Sequence, residues 1–199
     1  GILACAKHYP GHGRTFQDSH DVIPTVETGL EELVRSDLLP FESAVRANVA
    51  SIMTAHVRIP RWDASGEPAT RSPVMLGYLR SALGFDGLVV TDALVMEGAR
   101  AGLADEEVVL APIRAGCDLL LYPPDAAAAV TTLTRAVEAD PHVAAAVLAS
   151  LARYQAALDL TTTTAPAYTG DPANERESRA IARRLLDNGL VRGSLPELG

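Results

Sequence analysis

The chain has 199 residues, about half of them apolar, which is enough for one domain with a sizeable core and part of another. Its formal net charge of −8 argues against nucleic acid or an anionic membrane surface as the main partner, because both need clustered basic side chains. The cysteines, Cys5 and Cys117, both fall in apolar strand-like runs and read as buried free thiols, not as a disulfide or a metal pair. No apolar stretch is read as reaching the roughly 20 residues of a membrane span. No basic-plus-apolar leader is read at the start of the chain, which opens inside an apolar run, so any leader is expected upstream.

Short, continuous apolar runs recur along the chain: "ILACA" (2–6), "ASIMTA" (50–55), "GLVVTD" (87–92) and "DLLLYP" (118–123). Runs that do not alternate are expected for strands covered on both faces. Amphipathic stretches separate them: "GLEELVRSDLLPFESAVRANV" after the first and "SPVMLGYLRSALG" after the second. "DEEVVLAPIRAG" follows the third, and "AAAVTTLTRAVEAD" with "HVAAAVLASLARYQAALDL" follows the last. Ser72 before Pro73 marks a helix start, and Gly84 and Gly116 mark helix stops. Strand–helix alternation without hairpin signals implies an α/β fold with a parallel sheet, either open or part of a barrel. Residues 1–160 are expected to form this unit. "TTTTAPAYTGDPANE" makes 161–175 a linker, and 176–199 opens on a basic amphipathic helix, the start of a second domain or a tail.

Chemistry-bearing residues cluster where the runs end: Lys7 and His8 after the first, Thr54 and His56 after the second, Thr91 and Asp92 after the third. In parallel α/β folds that edge of the sheet carries the site. The stretch "KHYPGHGRTFQDSH" (7–20) holds three of the five histidines and the only lysine. An ammonium and an imidazole at a strand end can bond sugar hydroxyls or an acidic group, and Pro10, Gly11 and Gly13 suit a loop of unusual backbone geometry. Asp18 two residues before His20 can raise that imidazole's pKa and select its tautomer, which suits a general acid; the plainer reading is a turn capped by Asp18. Asp92 can act as nucleophile or electrostatic stabiliser, or simply cap a helix beginning at Ala93. His56 is read as a packed wall residue of the pocket, with Met96 beside it, in preference to a ligand. A zinc site drawn from His8, Asp18, His12, His20 and His56 is disfavoured, because Pro10 and Gly11 interrupt the spacing that would put His8 and His12 on one helix face. No metal or other cofactor is expected.

Taken together, these motifs resemble glycoside hydrolase family 3, in its β-N-acetylhexosaminidase branch. "KHYPGHGRTFQDSH" resembles that branch's signature, a KH-F/Y-PGHG core followed by D-S/T-H. "SIMTAHVRIPRWD", "EPATRSP", "LGFDGLVVTDALVM" and "AGCDLLLYP" resemble the segments that follow it, in the same order over residues 3–160. The resemblance implies the C-terminal half, about four strand–helix units, of a (β/α)8 barrel, with the chain beginning at the fifth strand. It implies Asp92 as the nucleophile of a retaining glycosidase, His20 as general acid/base oriented by Asp18, and Lys7 and His8 on the sugar. The implied substrate is a terminal β-linked N-acetylglucosaminide, from cell-wall sugars, met in the cytoplasm, with secretion left open by the unseen upstream segment. The missing half-barrel would supply the remaining sugar contacts. A phosphorolytic relative and a non-catalytic sugar-binding fragment stand as the alternatives.

Overall fold

Three short parallel strands are the frame on which everything else hangs. In the computed structural model, which describes residues 2–15, 23–100 and 102–163, they are β1 (Cys5–Tyr9), β2 (Ser51–Thr54) and β3 (Leu88–Val90), in sheet order β1-β2-β3. Cys5 pairs with Ser51 and Ala6 with Ile52, and an irregularity follows before Tyr9 meets Thr54. Ser51, Ile52 and Met53 pair with Leu88, Val89 and Val90. The sheet is therefore α/β and parallel, as the alternation of runs and helices implies.

The fourth run departs from expectation. It pairs with β3 through an isolated parallel bridge, Val90 with Leu119, in which Leu119 N donates to Val89 O and Thr91 N to Leu119 O, and not through an extended ladder. The amide of Leu121 donates to the Thr91 hydroxyl (2.9 Å), so a side chain takes the place of a ladder carbonyl. Tyr122 then turns the chain away with φ of 50°. The expectation of strands covered on both faces holds for the inner strands better than for β1. Ile52 and Val89 are fully buried, whereas Cys5 and Lys7 are exposed. Cys5 is thus a correction: it is a free thiol, but an exposed one, because β1 is the outer strand of the described sheet. Cys117 is buried, and burial pushes its thiol far above the ordinary range.

The helices follow from local signals. The stretch after β1 forms two pieces, α1 (Leu30–Val34) and α2 (Leu39–Arg46), broken at Arg35–Leu38 and restarted with Pro40 in the first turn. Ser72 caps α3 (Pro73–Ser81): its hydroxyl accepts from the Met75 amide at 3.0 Å and donates to the buried Asp63 carboxylate at 2.5 Å. A short α4 (Glu97–Arg100) and then α5 (Asp105–Ala115) follow β3, and α5 stops at Gly116, whose φ is 114°. Helices α6 (Ala126–Ala139) and α7 (Pro141–Thr163) complete the described residues. Within α7, Pro141–Thr161 is long and apolar enough to cross a membrane by length and composition, which corrects the reading that no stretch approaches that length. Its alanines supply much of that character; Ser150 and Arg153 on the same helix bond the buried Asp118, and Val143 and Ala157 are buried. The expected linker beyond Thr163 and the segment 176–199 lie outside the described residues.

The main core lies between the sheet and helices α1 to α3, with Tyr9, Leu33, Leu38, Ile52, Ile59, Met75, Leu76 and Leu79 all nearly inaccessible. A smaller cluster of Leu94, Ala99 and Val108 sits under the segment that leaves β3. That second cluster anchors the turn bearing Asp92.

Candidate active site

The ends of β1, β2 and β3 bring His8, His56 and Asp92 to one edge of the sheet. Lys7 and His8 lie within β1 and not beyond it, which is a small correction to the sequence reading. Tyr9 is the anchor. Its ring stacks edge-on against Phe41 and Trp62, and its hydroxyl donates to the Met75 carbonyl at 2.9 Å. The adjoining peptide bonds Lys7–His8 and Tyr9–Pro10 are cis. With Tyr9 locked into the core, its neighbour His8 faces the site and Lys7 stays exposed.

His8 Nε2 is 3.5 Å from Asp92 Oδ2. Burial pulls the His8 imidazole below its ordinary value; the Asp92 carboxylate pushes it back up, and Lys7 and His12 add to the lowering. Asp92 is not a helix cap, because α4 does not begin until Glu97. Its Oδ1 accepts from the next amide, Ala93 N, at 2.8 Å. That leaves Oδ2, on a side chain 19% exposed, facing His8.

The segment carrying Asp92 is held on both sides. Thr91 N donates to Leu119 O and Leu94 N to Leu121 O, each at 2.9 Å. Ala93 O accepts from His56 Nε2 (3.2 Å) and from Met96 N (3.1 Å). The Arg71 guanidinium, buried and paired with Glu67 at 2.7 Å, donates to Ala99 O. His56 is 1% exposed, and burial lowers its imidazole pKa against the opposing pull of the Ala93 carbonyl and Asp92. Met96 is buried as well, at 7% exposed, its amide helping to close the turn.

The loop after β1 is tied down by residues that the sequence reading missed. Arg14 donates to Asp37 (2.8 Å), Glu32 (2.7 Å) and Ser36 (3.1 Å) in the α1–α2 turn. Gly11 has φ of 132°, and a Cβ there would sit 3.0 Å from the Asp37 Cβ, so the close approach of this loop requires glycine. His12 turns back on its own loop, with Nδ1 2.8 Å from the Thr15 hydroxyl. Asp18 and His20 lie outside the described residues. Among the described residues no group of three His, Cys, Asp or Glu side chains could hold a metal ion. Four cavities of 240 to 520 Å³ are lined by other residues, and the His8 and Asp92 side chains are partly exposed at the strand edge, at 31% and 19%.

A family model described as the glycosyl hydrolase family 3 N-terminal domain matches residues 1–157. The chain belongs to glycosyl hydrolase family 3. It is 46% identical over 122 residues to the β-hexosaminidase of Thiobacillus denitrificans, covering 61% of this chain and 33% of that protein. To the β-hexosaminidase of Methylococcus capsulatus it is 42% identical over 133 residues, covering 65% and 39%. The solved structure of a glycoside hydrolase family 3 β-N-acetylglucosaminidase from a Paenibacillus species matches with a TM-score of 0.71 and 36% identity, over 85% of this chain and 34% of that one. The family 3 chain described here thus spans little more than a third of the length of these relatives.

Proposed function

We propose that the protein carrying this family 3 chain is a retaining glycoside hydrolase that removes terminal β-linked N-acetylglucosamine. The observation that carries the reading is the pair His8–Asp92. A carboxylate with one oxygen committed to a backbone amide and the other turned to an imidazole 3.5 Å away stands at the strand edge where such folds place their sites. The names of the similar proteins support the sugar, and the parallel order β1-β2-β3 with Leu119 bridging beyond supports the C-terminal half of a (β/α)8 barrel, with the opposite wall supplied by further strands.

In this mechanism Asp92 Oδ2 attacks the anomeric carbon as the glycosidic bond breaks, and His20, paired with Asp18, delivers a proton to the departing oxygen. Water then attacks the glycosyl ester, giving its proton to His20 and releasing Asp92. A histidine thus takes the part of the second carboxylate of most retaining glycosidases. Lys7 and His8 bond sugar hydroxyls, and the lowered pKa of His8 keeps it a neutral partner beside the nucleophile.

The test is hydrolysis of a chromogenic β-N-acetylglucosaminide by the protein carrying residues 1–199, with and without phosphate, beside Asp92→Ala. Turnover independent of phosphate is expected, falling by about a thousandfold or more in the variant, because loss of a nucleophile removes the covalent route. Substantial turnover in a clean Asp92→Ala preparation, or a sugar phosphate as the product, would refute the assignment.

A further inference from the structure

Ala93 is the only residue between Asp92 and Leu94, and both of its backbone groups are engaged. Its amide fixes Asp92 Oδ1 at 2.8 Å, and its carbonyl receives His56 Nε2 at 3.2 Å. On the far side of the imidazole, Nδ1 is 2.9 Å from the Thr70 hydroxyl, and Thr54 Oγ1 is 2.9 Å from that same hydroxyl. His56, Thr54 and Thr70 are all buried to about the last per cent of their surface. The backbone around Thr70 is pinned too: its carbonyl receives the Cys117 thiol, and the 3₁₀ turn Ala69–Arg71 that carries it is wholly buried.

We propose that His56 is a positioning residue for Asp92: a neutral imidazole, held as the Nε2–H tautomer by Thr70, that fixes the Ala93 peptide and through it the orientation of the carboxylate. This rests on the reading of Asp92 as the nucleophile. The proton order follows from donors and acceptors. A carbonyl oxygen can only accept, so Nε2 carries the hydrogen toward Ala93; the unprotonated Nδ1 then accepts from Thr70, and Thr54 donates to Thr70. The competing acceptor for the Thr70 proton is the Ala55 carbonyl at 3.1 Å. It would take that proton if the ring were doubly protonated, an outcome opposed by burial of the charge. The consequence for the site is division of labour between the two carboxylate oxygens. With Oδ1 held by Ala93 N, Oδ2 is the one presented toward His8 and toward an approaching sugar. Release of Ala93 would let the carboxylate rotate, and small misplacements of a nucleophile are costly in rate.

Two measurements test this. In the first, nitrogen-15 NMR of labelled histidine in the folded chain is expected to show His56 as the neutral Nε2–H tautomer, unchanged across the range in which an exposed imidazole takes up its proton. Thr70→Val is expected to disturb that signal. An Nδ1–H tautomer, or a doubly protonated ring at neutral pH, overturns the proposal whether or not the protein turns over any sugar. In the second, His56→Leu, His56→Gln and Thr70→Val are compared in hydrolysis of the chromogenic N-acetylglucosaminide. His56→Leu and Thr70→Val are expected to lower kcat about 10- to 100-fold while KM moves less than about threefold, and His56→Gln, whose amide can still donate to Ala93, to recover most of the loss. Equal losses in the Leu and Gln variants, or full kcat in a folded His56→Leu protein, would sink the role of His56. If the unaltered protein hydrolyses no N-acetylglucosaminide at all, it is the proposed function that fails, and the tautomer measurement alone decides the placement of His56.

Discussion

Asp118→Ala is expected to be among the most damaging single changes in this chain, and its cost can be worked out from the partners. The Asp118 side chain is 1% exposed and meets four donors: Arg80 Nη2 at 2.5 Å, Val89 N at 2.8 Å, Arg153 Nη1 at 2.8 Å and the Ser150 hydroxyl at 2.9 Å. These tie together α3, β3 and α7. Removal leaves Arg80, 21% exposed, with burial opposing its charge and the chief counterweight gone. It also strands the amide of Val89, a fully buried residue of β3, whereas Arg153, a third exposed, can turn to water. Breaking a buried pair in this way costs about 3–5 kcal/mol, far more than the intact pair adds over an apolar replacement. At about 2–4 °C per kcal/mol for a domain of this size, the melting midpoint should fall by about 10 °C. Urea unfolding followed by circular dichroism checks it, with Arg80→Ala and the double variant completing a cycle. The double should be less destabilised than the sum of the singles by about 2 kcal/mol, because no orphaned charge remains. A cooperative Asp118→Ala transition within about 1 kcal/mol of the parent would refute the reasoning.

Ser72→Ala removes the cap of α3 and one of the donors to the buried Asp63 together, so a loss of about 2–3 kcal/mol is expected in the same urea assay, against about 1 kcal/mol for an exposed cap alone. Stability should also fall with acid. His56 and His8 are both pulled below the ordinary histidine value by burial, so the unfolded chain takes up those protons first. Their contribution is whole above about pH 6.5 and is lost as the pH falls below it toward the folded-state values. Urea midpoints from pH 8 down to pH 5 would show the slope, and His56→Gln should flatten it.

Local signals were the ones a reader of the sequence could trust. Ser72–Pro73 and Gly116 announce a helix start and a helix stop through chemistry confined to a few neighbouring residues, and both stand where expected. The break at Arg35–Leu38 was equally local, with Pro40 as its sign, yet one long amphipathic stretch concealed it. The failures elsewhere are tertiary. "DLLLYP" reads as a strand like the others, but after the bridge of Leu119 with Val90 its Leu121 amide is taken by the Thr91 hydroxyl, 30 residues away in sequence. Cys5 sits in an apolar run, but only the position of β1 at the sheet's outer edge decides that it is exposed. Within the site, the strand-end rule leads to His8 and Asp92. Nothing in "EPATRSP" says that Thr70 will meet the His56 ring.

The two aspartates of this sheet carry the same limit one step further. "VVTD" and "AGCD" both put a carboxylate at a strand terminus, and burial alone would rank Asp118, at 1% exposed, above Asp92, at 19%, as the unusual one. Donor count reverses the ranking. Both oxygens of Asp118 are engaged by charged, backbone and hydroxyl donors at 2.5 to 2.9 Å, so its lone pairs are already spent on holding α3, β3 and α7 together. Asp92 has one short bond, to the amide beside it, and among the described residues its Oδ2 meets only an imidazole at 3.5 Å. A carboxylate oxygen can attack carbon only with a lone pair that no donor already holds. The under-bonded aspartate at the C-terminal edge is therefore the one that the proposed mechanism takes as its nucleophile, and the saturated one at the opposite edge ties the structure together.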